Sequence, residues 1–155
     1  MTTEHKLGKK SAGILLYRLE KGFEVFLVHP GGPFFAQKDL GAWSIPKGEF
    51  TDEEPLEAAK REFQEEVGLA LTGEFIELSP VKHKSGKMVF AWAHEGNVDP
   101  KSLVSNTFEM QWPPLSGKFQ EFPEVDRGEW FTADVAKQKI NPAQIPLIDE
   151  LIGKI

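Results

Sequence analysis

Residues 48–69, GEFTDEEPLEAAKREFQEEVGL, decide how the chain is read. At roughly 100° per residue, Leu56, Ala59, Phe63 and Val67 share one helical stripe, and Glu62, Glu65 and Glu66 fill an adjoining arc. One face packs and the next is acidic. Local signals agree on a helix. Thr51 or Asp52 can cap its first turn, Pro55 is tolerated there, Ala58 and Ala59 are strong helix formers, and Gly68 supplies a left-handed stop. Carboxylates spaced within about one turn repel one another by roughly a few tenths of a kcal/mol per exposed pair. A divalent cation removes that penalty, and oxygen-only ligands suit a hard ion, Mg²⁺ or Mn²⁺.

The stretch resembles the Nudix box of the MutT/Nudix hydrolases, G-x5-E-x7-R-E-U-x-E-E-x-G-U with U a bulky apolar residue. Arg61-Glu62-Phe63-Gln64-Glu65-Glu66-Val67-Gly68-Leu69 fits its second half residue for residue. Counting back from Arg61 reaches Glu53 as the first acid, which leaves four residues between it and Gly48, one fewer than the pattern. Glu53 and Glu54 are therefore alternatives for that acid, and the Gly48 and Lys47 carbonyls are alternatives at the metal-facing position. The resemblance implies an α/β fold, a Nudix-type α/β/α sandwich with a mixed central sheet, with the box helix and the loop before it forming the catalytic edge. It implies metal held by Gly48, Glu62, Glu65 and Glu66, with Mg²⁺ expected and Mn²⁺ as its substitute. A diphosphate linkage is multiply anionic, so cations must neutralise its non-bridging oxygens while activated water attacks the phosphoanhydride. One of the box acids or a distal carboxylate then receives the proton. Arg61 is expected to orient a box glutamate through a charge-assisted hydrogen bond; a surface pairing with Glu65 is compatible with that role.

Composition narrows the rest. A length of 155 residues suits one domain, with residues 1–10 as a flexible tail and 11–155 as the folded unit. A net charge of −6 argues against an extended nucleic-acid surface or an anionic membrane as partner. A chain without cysteine has neither a disulfide framework nor a thiolate metal site. No apolar run approaches membrane-spanning length, and the expected location is the cytoplasm. No oligomeric state is read from the sequence.

Along the chain, Ser11–Leu19 and Phe23–His29 read as strands joined at Glu20-Lys21-Gly22. Leu15, Tyr17 and Leu19 fall on one face and Ile14 and Leu16 on the other, as in a central strand. Residues 30–42, PGGPFFAQKDLGA, read as a long loop before a short strand Trp43–Ile45. There Phe34 and Phe35 either stack on a nucleobase or pin the loop to the core, and Lys38 is a candidate phosphate contact. The W-x-x-P-K-G string at Trp43–Gly48 resembles the approach to the box in dinucleoside polyphosphate and diphosphoinositol polyphosphate hydrolases of the family, which makes Lys47 a substrate-phosphate cation. Ala70–Leu78 and Lys87–His94 read as strands, with Trp92 as core, and Ser105–Trp112 as an edge strand ended by Pro113 and Pro114. In Gln120–Phe131, Glu124 precedes Glu129-Trp130 as a distal acid does in the MutT enzymes. That makes it a candidate metal ligand or base, with Glu121 and Glu109 as alternatives. A last helix runs from Asn141 to Ile155 with a stripe of Ile145, Ile148, Leu151 and Ile152. The histidines at 5, 29, 83 and 94 show no ligand spacing and read as polar surface or strand-end residues, His83 and His94 flanking one hairpin.

The expected activity is metal-dependent hydrolysis of a nucleoside diphosphate linked to another moiety, a nucleoside triphosphate or dinucleoside polyphosphate. Alternatives are an inositol pyrophosphate, an RNA 5′ cap, which the acidic chain disfavours, or a nucleotide-binding sensor that does not cleave.

Overall fold

The computed structural model describes residues 9–155. Its centre is β1 (Lys10–Arg18), paired along both edges and buried on both faces. β5 (Met88–Glu95) runs parallel to it on one side, and β4 (Ile76–Lys82) adds to β5 in antiparallel. On the other side lie β2 (Glu24–Pro30) and β3 (Lys47–Phe50), both antiparallel to β1, and β8 (Val125–Thr132) closes the sheet beyond β2. Parallel and antiparallel pairs make this a mixed sheet.

Alternation along β1 divides the core into two layers. Ala12, Ile14 and Leu16 pack with Ala58, Ala59, Phe63 and Val67 of α1 (Pro55–Val67). Leu15 and Tyr17 pack on the opposite side with Trp43, Ile45, Ala136 of α2 (Ala133–Lys139), and Leu147, Ile148 and Leu151 of α3 (Ile145–Lys154). The sheet is thus sandwiched between helices, as expected. Burying a side chain such as Phe63 or Leu147 contributes about 1.5–3 kcal/mol.

One irregularity positions the site. β1 and β2 pair only near their hairpin, at Tyr17–Val25 and Arg18–Glu24, and then diverge. The segment from Trp43 to Phe50 fills the gap. Ser44 and Val28 exchange backbone hydrogen bonds of 2.8 and 3.0 Å, the Ile14 N–H donates to the Pro46 carbonyl at 3.1 Å, and β3 pairs with β1 from Gly13 to Lys10. Gly13 makes this possible, since a Cβ there would stand 2.5 Å from the Pro46 oxygen.

Several local expectations change. α1 begins at Pro55 behind Glu54, whose side chain makes no capping bond, so neither Thr51 nor Asp52 caps it. Its end is as expected, with Gly68 at φ 83° donating to Gln64. The expected strand Trp43–Ile45 is reduced to isolated bridges, because it hands over between β2, the Ile140 backbone and β1. The strand expected at Ala70–Leu78 starts at Ile76 and runs through Pro80, where a bulge absorbs the missing N–H. Ser105–Trp112 contains β6 (Thr107–Gln111), which pairs with an unanticipated β7 (Phe119–Pro123) in a separate two-stranded sheet. The last helix is preceded by a 3-10 turn, Pro142–Gln144, capped by Asn141, and Leu147 takes the buried place expected of Ile152, which is 42% exposed. Residues 1–8 of the expected tail lie outside the described residues. Lys9 already accepts from the Met88 N–H and Lys10 opens β1. No described helix is long and apolar enough to cross a membrane.

Leu147→Ala should lower unfolding free energy by about 2–5 kcal/mol, whereas Ile152→Ala should stay within about 0.5 kcal/mol of the parent. Urea titration checks this, and equal losses would refute the assignment of the buried stripe.

Candidate functional site

The acidic arc of α1 is organised by Arg61. Its Nε and Nη2 donate to both carboxylate oxygens of Glu53, at 2.8 and 2.6 Å, while Nη1 donates to Glu62 at 2.8 Å and to Glu65 at 3.1 Å. The bidentate pair holds the Glu53 carboxyl below its usual range and the guanidinium above its own. Of the two alternatives for the first acid, Glu53 is therefore the one that Arg61 grips, and the short loop still delivers it. Glu62 packs against Gly48, where an added Cβ would fall 2.0 Å from the carboxylate. This close approach is why a glycine stands at the corner between β3 and the box loop.

Helical spacing turns Glu66 inward, onto the packing side beside Phe63 and Val67, and leaves it 5% exposed. Burial, reinforced by the charges of Glu62 and Glu124, pushes its carboxyl up to about 8, against the opposing influence of Lys47. Burial also raises Glu62, although Arg61 counteracts it. Lys47 is held below its usual range, first by burial and then by the Lys87 charge, with Glu66, Glu49 and Glu62 pulling the other way. Glu124 joins this group from the far side. Its N–H donates to the Asn106 carbonyl at 2.8 Å and its own carbonyl accepts from Gly31 at 2.9 Å, so its backbone is clamped from two directions. Ser105 secures the same turn by accepting from Val125 at 3.0 Å. Glu62, Glu65 and Glu124 line a cavity of about 410 Å³ that also reaches Lys47, Gly48 and Lys87. Glu66, Glu124 and Lys47 line an adjoining one of about 160 Å³.

The structure thus gathers Arg61, Glu62, Glu65, Glu66, Glu124, Lys47 and Gly48 in one corner. Phe34, Phe35 and Lys38 line neither cavity. The rings lie 5.4 Å apart with the Lys38 ammonium 4.5 Å from the Phe34 centroid, and Phe34 is 64% exposed, so it does not pin the loop to the core. Glu109 and Glu121 face each other across β6 and β7 and also lie outside both cavities. His29 is buried, against Asp126 and the Lys38 carbonyl; His94 bonds the Glu74 carbonyl and stacks on Phe75; His83 contacts Gln144. His29 and His94 are thus buried rather than at the surface, and His83 is half-buried. His5 lies outside the described residues. Sequence reasoning missed Ser11, Glu49, Lys87 and Asn106 at the cavity. The available signal for Ser11 was a hydroxyl heading an otherwise apolar strand.

The donor set fits a hard divalent cation, because the carboxyl groups of Glu62, Glu65, Glu66 and Glu124 offer oxygen alone. A buried hydroxyl, Ser11 Oγ, lines the same cavity without a hydrogen-bond partner. Among the described residues no three metal-ligating side chains are already drawn into a cage. Arg61 bonds one oxygen each of Glu62 and Glu65, which leaves the second oxygen of each carboxylate outside its grip and open to a cation.

The Glu66 shift has a stability consequence. Between its ordinary pKa of 4.5 and about 8, the unfolded chain has released a proton that the folded chain keeps, so stability falls as pH rises through that window. In EDTA the Tm should fall from pH 5 to pH 8, and Glu66→Gln should flatten the fall and raise Tm at pH 8. An unchanged profile in the variant would refute the burial of this carboxylate.

The family model described as NUDIX domain matches residues 8–151. No curated protein matches the chain in sequence. Among solved structures, a Caenorhabditis elegans Ap4A hydrolase binary complex is 19% identical with a TM-score of 0.63, covering 93% of this chain and 96% of that one. The NUDIX domain of Shewanella oneidensis NrtR, complexed with ADP ribose, is 15% identical with a TM-score of 0.66, covering 99% and 92%. A MutT structure from a study of the Aliivibrio salmonicida and Vibrio cholerae enzymes is 15% identical with a TM-score of 0.55, covering 95% and 98%. At such identities the likeness speaks for the fold, and together with the family match over nearly the whole chain and the glutamate corner on α1 it establishes that this protein belongs to the Nudix family.

Proposed function

We propose that the chain is a divalent-metal-dependent pyrophosphohydrolase whose substrate is a nucleoside diphosphate linked to another moiety, a nucleoside triphosphate or a dinucleoside polyphosphate. The observation that carries this reading is a single cavity lined by Glu62, Glu65 and Glu124 together with Lys47 and Lys87. Such a surface has no use as a packing face, because each buried or crowded charge costs stability. Family membership supports a hydrolase acting on nucleotide-linked diphosphates, and the ADP ribose and Ap4A of the similar structures are ligands of that chemical class.

Glu62, Glu65, Glu66 and Glu124, with the backbone at Gly48, would hold Mg²⁺ or Mn²⁺. Bound there, the cation supplies neutralisation of phosphoryl oxygens and a lowered pKa for coordinated water. Arg61 keeps Glu62 and Glu65 oriented and Glu53 holds Arg61. Lys47, which lines the same cavity, would meet the phosphate chain. Glu124, exposed and clamped at its backbone, is placed to accept the proton of the attacking water, with Glu66 as the alternative. Phe34, which is exposed, would stack a base apart from the acids, with Lys38 and the half-buried Phe35 beside it. The reading places the protein in the cytoplasm, in keeping with its lack of cysteine.

Two measurements test this. Millimolar Mg²⁺ or Mn²⁺ should raise the Tm of the wild type and not that of Glu65→Gln with Glu66→Gln. In a nucleotide panel with Mg²⁺, each of those substitutions should cut turnover by about a hundredfold or more while circular dichroism stays native. Nucleotide binding without turnover in the wild type would favour a sensor instead.

A further inference from the structure

The larger cavity has a second pole that the box does not account for. Ser11 and Glu49 stand directly opposite in the β1–β3 pair, so their side chains share one face of the sheet. Lys47, two residues from Glu49 on the same strand, shares that face by alternation. Gly48, against which Glu62 packs, belongs to the other. Lys87 reaches in from the turn before β5, where its backbone is fixed by a 2.9 Å bond from the His83 N–H, and its ammonium lies 2.9 Å from Glu49. Glu49 therefore has Lys87 at 2.9 Å and the exposed Lys9 at 4.0 Å, with Lys47 on the same face of the strand. Beneath them Ser11 is fully buried with its Oγ unpartnered. A site that needed only a structural ion pair would be complete with Glu49, Lys87 and the exposed Lys9; Lys47 and the idle hydroxyl are surplus to it. They complement a tetrahedral oxyanion, which accepts from ammonium and hydroxyl donors together. The cavity of about 410 Å³ falls within the range usual for small-molecule sites.

We propose that Lys87 and Ser11, together with Lys47, form an anion subsite that takes a phosphoryl group of the substrate, Glu49 serving as the resident counterion that the phosphoryl group displaces. This deepens the pyrophosphohydrolase reading and rests on it. When the anion enters, the Lys87 ammonium turns from Glu49 to the phosphoryl oxygens and uncovers the Ser11 hydroxyl, which donates to the same group.

Calorimetric titration of the full chain with inorganic pyrophosphate in EDTA tests the subsite apart from catalysis. Lys87→Gln should weaken binding by about tenfold, with Lys87→Arg recovering most of it. Glu49→Gln should tighten binding by about two- to fivefold, because it removes the competing carboxylate. Ser11→Ala should weaken it without lowering Tm. Opposite signs for Lys87→Gln and Glu49→Gln are the signature, since a merely structural ion pair predicts that both lower Tm and neither moves the dissociation constant. Equal affinity in folded Lys87→Gln and wild type, or no wild-type binding at millimolar pyrophosphate, overturns the subsite. The nucleotide panel separates the two readings. Lys87-dependent pyrophosphate binding in a chain that cleaves no nucleotide sinks the hydrolase and leaves the subsite. Turnover with KM untouched by Lys87→Gln sinks the subsite alone.

Discussion

The guanidinium of Arg61 is what allows this corner of the protein to exist. Glu53, Glu62, Glu65, Glu66 and Glu124 converge on it from the box loop, from α1 and from the turn before β8, and like charges so close would otherwise push the loop off the helix. Arg61 bonds three of them with a planar fork that lysine does not offer. The remaining two are handled differently. Glu66 is kept from ionising by burial, and Glu124 stays exposed on a backbone that is bonded on both sides.

That arrangement in turn needs β1 and β2 to part. If the two strands paired along their whole length, β3 would have no edge to join, and Lys47 and Gly48 would not stand beside α1. The inserted segment takes up the freed backbone groups of Ile14 and Val28, so the opening leaves no unpaired ladder there. Its cost is the close contact at Gly13, which only a residue without a side chain accommodates. The scaffold and the site are thus two consequences of one divergence in the sheet.

The face of β3 turned away from α1 extends the chemistry. Gly48 on one face of the strand meets Glu62 and Glu49 on the other meets Lys87 beside Ser11, and one cavity touches both sets.

Short-range physics was legible in the sequence. The helical arc of glutamates, the apolar stripe of Leu56, Ala59, Phe63 and Val67, the Gly68 stop and the two-faced burial of β1 all follow from periodicity and the left-handed tolerance of glycine, and the structure retains them. The approach of Glu124 was readable too, although only through spacing shared with related enzymes. What depended on distant partners was not readable. Thr51 and Asp52 are good capping residues, yet the loop is drawn toward Arg61 and the helix starts behind Glu54. Ile152 fits the stripe as well as Leu147 does, and the tilt of α3 against the sheet chose Leu147. Phe34, Phe35 and Lys38 have the chemistry of a ligand platform, but the path of their loop carries them away from the acids. Ser11 and Lys87 lie far apart in the chain from the box, and strand register alone brings them together. Local sequence therefore determined which residues carry charge and which faces pack, because those depend on neighbours within a turn or two. The tertiary structure decided which charges meet, because that is set by strand pairing and helix docking across the whole domain.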